Sequence, residues 1–160
     1  MIWLKAASEG ILVPFLFCIL FPWLLVHFQG LWPLRWNPWA IFPGVLLFAL
    51  GLAIIWWTVQ AFVRQGKGTP APFDPPRRLV TSGLYRYVRN PMYLGATLAL
   101  LGVTLATLSW AVGLYTMVIF GAFNVYLRFF EERQLGRRFG SAYEEFKRRV
   151  PRWIPRRSQD

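Results

Sequence analysis

From Tyr93 to Leu127 the chain carries no charged residue, and this stretch limits the possible folds more than any other feature. As one helix it would run about 50 Å at 1.5 Å per residue, too far for a single pass through about 30 Å of hydrocarbon. A break near Leu108–Gly113 is therefore expected, with Trp110 at the interface, giving short spans at about 93–109 and 111–129. Two further apolar runs precede it. Ile11–Phe28 (span about 11–28) contains Pro14 and Pro22 and reads as a retained, kinked helix rather than a signal peptide. It is long for a signal core, no small-residue cleavage site follows, and more spans come after it. Ile41–Val63 (span about 41–63) is uncharged, with Pro43 expected in its first turn, where a missing N–H costs little. Between these runs Trp32, Trp36 and Trp39 suit an interfacial belt.

The expected fold class is thus all-α: a polytopic membrane protein with about four transmembrane helices and a cytoplasmic C-terminal amphipathic helix, in a single domain over 1–160. Composition agrees. Hydrophobic residues make up 56% of the chain and charged residues 16%, against about 25% charged in soluble domains. Aromatics at 18% exclude low-complexity disorder. Gly95, Gly102, Gly113 and Gly121 are small enough for close helix contacts and read as packing residues.

A net charge of +11 would ordinarily suggest nucleic acid, but its distribution argues against that. Residues 1–63 hold only Lys5, Glu9 and Arg35, while six basic residues lie between Arg64 and Arg89 and ten between Arg128 and Arg157. Four spans put both basic clusters and both termini on one side, which the positive-inside rule makes cytoplasmic. The single Cys18 excludes an internal disulfide, and with one His, His27, no structural zinc site is expected. The cytoplasmic side has no His or Cys, so nucleophilic sets built on them are excluded. Gly66-Lys67-Gly68-Thr69 fails the phosphate-loop pattern at Ala61 and Gly68, and no dinucleotide fingerprint follows a strand.

Two polar clusters meet the membrane on the basic side. Arg89-Asn90-Pro91-Met92-Tyr93-Leu94-Gly95 enters the third span: Asn90 is disfavoured as helix before proline, and Pro91 can start one. Arg89 is then either an anion partner beside the free amides of a helix start or a snorkelling side chain. Arg128-Phe129-Phe130-Glu131-Glu132 leaves the last span. Its carboxylates either are solvated and paired with Arg128 and Arg133, or hold an ammonium group of a ligand. In a hairpin of spans three and four the two clusters converge. Beyond them Ser141 and Glu144 form a capping-box pattern, Tyr143, Phe146 and Val150 share a helical face, and Pro151 ends that helix. Arg152, Trp153 and Ile154 suit a return to the membrane surface.

The stretch LVTSGLYRYVRNPMYLG, followed after two spans by EERQLGRRFGSAYEEFKRRVPRWIP, resembles the isoprenylcysteine carboxyl methyltransferase family, which is related to the membrane phosphatidylethanolamine N-methyltransferases. The likeness covers about residues 64–155 and rests on the order and spacing of G-x-Y…R-[HN]-P-x-Y-x-G, E-E-x-x-L and F-G-x-x-Y…V-P. It implies a membrane-embedded methyltransferase using S-adenosylmethionine, its cofactor at the cytoplasmic face within loop 64–92, the span ends and segment 130–160. Carried over, Leu79, Val80, Tyr85, Asn90, Pro91, Met92 and Tyr93 line the cofactor site, and Glu131 holds the cofactor's amino end. Arg128 lies close to a family arginine that contacts substrate. The family commonly has His where this chain has Asn90, and Asn cannot act as a general base, so a role for Asn90 is positioning.

A carboxylate acceptor is already a nucleophile at pH 7, whereas an amine must lose a proton, which Glu132 or Tyr93 could accept or relay. The expected acceptor is a lipid or prenylated small molecule reaching the site from the bilayer, such as a prenylcysteine carboxylate or a phospholipid amine. The rival readings are a non-enzymatic membrane scaffold or lipid-binding subunit, and a sterol-type membrane reductase.

Overall fold

A computed structural model describes Leu12 and residues 15–30, 37–66 and 78–155. Lys5, Glu9, Pro14, the belt residues Trp32 and Trp36, Arg35, and loop residues 67–77 with their Lys67-Gly68-Thr69 lie outside the described residues. Those described form five helices, α1 (Leu16–Phe28), α2 (Pro38–Gly66), α3 (Pro91–Thr107), α4 (Trp110–Phe139) and α5 (Ser141–Arg149), with a 3₁₀ turn at Gly83–Arg86. The chain is all-helical in these parts. Helices α2 and α4 are long and apolar enough to cross a membrane, and α1 and α3 are shorter apolar helices.

Local chemistry sets the boundaries. Asn37 is extended ahead of Pro38, so α2 starts three residues before Ile41 and Pro43 falls inside the helix rather than in its first turn. In α1 the Phe21 amide bonds back to Leu16 in a π-turn ahead of Pro22. The expected break between α3 and α4 is present: Leu108 turns left-handed with φ 51°, and Ser109 caps α4 by accepting from the Val112 amide at 3.2 Å. Trp110 and Trp39 both stand exposed at that end of the bundle.

The tightest seam joins α2 to α3, running antiparallel. A Cβ on Gly51 would lie 2.4 Å from the Gly95 carbonyl oxygen, and one on Gly102 would lie 2.6 Å from that of Gly44. Backbone therefore meets backbone at two points seven residues apart in each helix. Gly95 and Gly102 pack as expected, whereas Gly113 meets only the Thr104 methyl group at 3.4 Å and Gly121 faces open space. Against this seam α1 packs Cys18 onto Ala99 and Leu100, and the Tyr115 hydroxyl on α4 donates to the Phe17 carbonyl at 3.1 Å. His27 stacks on Trp23 at 5.5 Å and belongs to α1's own surface.

At the opposite end the ends of α2, the 3₁₀ turn and α5 share a second core of Ala61, Val80, Tyr85, Tyr143, Phe146 and Val150. The predicted apolar face of α5 is this contact. The capping box is not formed: Gly140, at φ 55°, takes the N-cap position and its carbonyl accepts from the Tyr143 and Glu144 amides, so Ser141 is already helical. The left-handed corner at Gly140 separates α4 from α5 and displaces the cap by one residue.

Candidate active site

The two polar clusters converge at this second end. Asn90 is buried at the N-cap of α3 with φ −123° and ψ 60°, and Pro91 opens the helix, which sets Tyr93 in its first turn. The Tyr93 hydroxyl donates to Glu131 Oε2 at 2.5 Å, and its ring stands edge-on to Phe123 at 4.9 Å. A π-turn at Leu127–Glu131 makes that alignment possible. Residues eight apart in an uninterrupted α-helix are offset by about 80°, and the wider π-turn takes up the offset. Phe123 and Glu131 thus both face Tyr93, while Asn124 and Glu132 both face the segment after α5.

That segment folds back across the ends of α3 and α4. Arg152 grips Glu132 through two hydrogen bonds of 2.9 and 3.0 Å, and Arg89 reaches the same carboxylate at 3.3 Å. The Arg89 amide donates to the Pro151 carbonyl at 2.9 Å, and Asn90 Nδ2 donates to that of Arg152 at 3.5 Å. Trp153 Nε1 donates to Asn124 Oδ1 at 2.9 Å, its ring 5.0 Å from Phe120.

Adjacent in sequence, Glu131 and Glu132 differ in how their charge is compensated. Glu132 is compensated by two guanidiniums. Glu131 is half-buried and, among the described residues, makes no ion pair; its partner is the neutral Tyr93 hydroxyl. The sequence pattern suggested Arg128 and Arg133 as partners for the two carboxylates. Both instead place their guanidiniums about Phe129, at 5.9 and 5.7 Å from its centroid.

The structure brings Asn90, Pro91, Tyr93, Glu131 and Glu132 together and keeps Met92 half-buried beside them. Arg128 is exposed and takes no part in these ion pairs. Leu79, Val80 and Tyr85 sit in the apolar core under α5. Burial pushes the Tyr85 hydroxyl well above its ordinary value, with the Glu131 charge adding to it. Burial pushes Tyr143 up to about 12, the Glu132 charge adding to it and the Arg89 guanidinium opposing. Both phenols are neutral at physiological pH. Sequence reasoning missed Asn124, Tyr143, Arg152 and Trp153 as neighbours of the site and gave Arg89 no carboxylate partner. A buried apolar face on α5 was the one signal that pointed to Tyr143.

Two cavities border the bundle. One of about 330 Å³ lies between Ala53, Ile54 and Trp57 of α2 and Gly83-Leu84. The other, about 260 Å³, lies among α1, α2 and α3 toward the far end.

Residues 39–142 match the phospholipid methyltransferase family. The chain belongs to that family. It is also 29% identical over 150 residues to the protein-S-isoprenylcysteine O-methyltransferase of Schizosaccharomyces pombe, covering 86% of this chain and 56% of that protein. The chain therefore spans just over half the length of this relative. No solved structure matches. The family consists of membrane methyltransferases whose methyl donor is S-adenosylmethionine. The residues present fit that donor at one decisive point: Glu131 is a half-buried carboxylate without a cation among the described residues, just past the apolar part of α4. A donor bearing an α-ammonium group would supply the missing charge.

Proposed function

We propose that this protein transfers a methyl group from S-adenosylmethionine to an amphipathic acceptor embedded in the membrane. The uncompensated Glu131 carboxylate, held by Tyr93 and set beside the fully compensated Glu132, carries this reading. Glu131 binds the donor's ammonium group and the Tyr93 hydroxyl fixes the carboxylate's orientation. Asn90, Pro91 and Met92 form the adjoining wall at the start of α3, and Tyr85, Val80 and Leu79 close it on the α5 side. When bound, the donor supplies an electrophilic methyl group. The protein's contribution is to bind, orient and exclude water.

All four apolar helices cross the bilayer, with both termini and the site on the basic, cytoplasmic face. The acceptor is a prenylcysteine carboxylate. This choice follows the yeast relative, and it suits a site in which Glu132 is occupied by two arginines, because a carboxylate acceptor needs no base. The apolar cavity between Trp57 and Gly83-Leu84 takes the acceptor's hydrocarbon chain in this reading. Arg128, exposed at the same helix end, meets the acceptor's anionic group from the membrane surface.

Calorimetric titration of the detergent-purified protein with S-adenosylmethionine and S-adenosylhomocysteine tests the reading. Saturable binding is expected, weakened on the order of tenfold or more by Glu131→Gln, in line with a charge-assisted contact. Labelled donor supplied with N-acetyl-S-farnesylcysteine or with phosphatidylethanolamine vesicles then identifies the acceptor. Methyl ester formation on the former supports the carboxylate, and methylamine formation on the latter replaces it. A folded protein that binds neither nucleoside is a scaffold or lipid-binding subunit instead.

A further inference from the structure

The segment after α5 makes a series of contacts with one common property. Each falls on a proposed donor-binding residue, or on the neighbour of one or of its support. The Pro151 and Arg152 carbonyls take hydrogen bonds from Arg89 and Asn90, immediately before Pro91–Tyr93. Arg152 grips Glu132, the neighbour of Glu131. Trp153 holds Asn124, the neighbour of the Phe123 ring that supports Tyr93. Three consecutive residues, Pro151–Trp153, thereby bridge the start of α3 and two successive faces of α4.

The ion pairs at its centre are withdrawn from water, with side-chain exposures of 10% for Glu132, 11% for Arg89 and 28% for Arg152. Ion pairs at such depth give little stability over apolar packing, because desolvation offsets the attraction. They do impose geometry: a bidentate guanidinium–carboxylate contact fixes both distance and plane. An apolar tail would have anchored the segment as well without fixing the angle at which α4 presents its carboxylates.

We propose that Arg152 and Glu132 are positioning residues that latch the C-terminal segment across the ends of α3 and α4, holding Asn90, Tyr93 and Glu131 in the arrangement that binds the methyl donor. This rests on the function proposed above. Glu132 is then neither a base nor a donor ligand; it acts through Arg152 and Arg89. Because latch and donor stabilise one arrangement, each must strengthen the other.

The test uses the 160-residue chain in detergent, with S-adenosylhomocysteine as the probe. Arg152→Gln is expected to weaken its binding about tenfold, Arg152→Lys less, since a lysine keeps the charge but loses the fork. The double variant Glu132→Gln/Arg152→Gln is expected to bind no worse than the weaker single variant, because both substitutions break one contact. Hydrogen exchange supplies a readout that general destabilisation would not reproduce. In the wild-type protein the probe slows exchange in residues 148–155. In Arg152→Gln that segment exchanges quickly with or without the probe, while the α2–α3 seam keeps its protection. Release of the segment with probe affinity unchanged within twofold overturns the latch, as does loss of affinity that only accompanies opening of the seam. Failure of the wild-type protein to bind the probe at all overturns the methyltransferase reading itself, so the two failures are distinguishable.

Discussion

The two ends of the bundle are held together by opposite chemistry. Toward the far end and middle, α2 and α3 meet through glycines, Gly44 against Gly102 and Gly51 against Gly95, with backbone on backbone. At the other end, elements distant in sequence are joined by side-chain hydrogen bonds and ion pairs, Tyr93 to Glu131 and Arg89 and Arg152 to Glu132. In a bilayer, where apolar surface gains nothing by leaving lipid, close small-residue packing is an inexpensive way to join helices. Charges next to hydrocarbon are costly and are retained where they serve recognition or geometry. The seam therefore reads as what keeps the bundle together, and the polar end as what the bundle exists to hold.

If that division is right, damage to the seam should cost fold before function. Gly51→Leu gives the largest expected effect. A Cβ there would sit 2.4 Å from the Gly95 carbonyl oxygen and 2.5 Å from the Ala99 amide nitrogen, both backbone atoms that cannot swing aside. The helices must separate along their length. Overpacking of this kind costs roughly 3 kcal/mol, a fall in unfolding midpoint on the order of 10 °C in a domain of this size. Thermal unfolding in detergent, followed by tryptophan fluorescence, measures it. A midpoint unchanged by this substitution would mean the seam is not a backbone contact.

Tyr93→Phe should do the reverse at a smaller scale. It removes the hydroxyl that orients Glu131 and keeps the ring against Phe123. The carboxylate loses its one partner among the described residues, so donor affinity is expected to fall about fivefold. The unfolding midpoint should move by no more than about 2 °C, because ring packing survives. A large loss of stability with donor affinity intact would reverse the assignment, making Tyr93–Glu131 a structural pair.

How much of this was legible in the sequence follows from the range of the interactions. Charge-free runs and proline positions act locally, so the helix set, the break at Leu108 and the end of α5 before Pro151 could all be read directly. The resemblance placed Asn90, Tyr93 and Glu131, and the fold brings those residues together. The partners of Glu132 were not legible. Neighbouring Arg128 and Arg133 were the natural candidates, but the π-turn at Leu127–Glu131 rotates Glu132 toward Arg152, twenty residues on and beyond the corner at Gly140. Neither a π-turn nor a left-handed corner leaves a reliable mark in composition. The seam was half legible: Gly95 and Gly102 stood out in an uncharged span, while the matching seven-residue spacing of Gly44 and Gly51 passed unnoticed.

Gly121 gives the smallest effect and the sharpest limit on the comparison. By composition it belongs with Gly95 and Gly102, a small residue in an apolar span. In space it faces outward, with nothing within 4 Å of an added Cβ. Glycine in a helix interior is less favourable than alanine by roughly 1 kcal/mol, so Gly121→Ala should leave the unfolding midpoint unchanged or raise it by a few degrees, with donor binding unaltered. Gly51→Ala, the same chemical change on the seam, should lower the midpoint, because even a methyl group cannot be housed there. Opposite signs from one substitution in two spans would show that position against a partner backbone, and not glycine content, defines the seam. If Gly121→Ala proved as damaging as Gly51→Ala, α4 would have to carry a close helix contact that the isolated chain does not contain, and a second copy of the protein would be the first candidate to supply it.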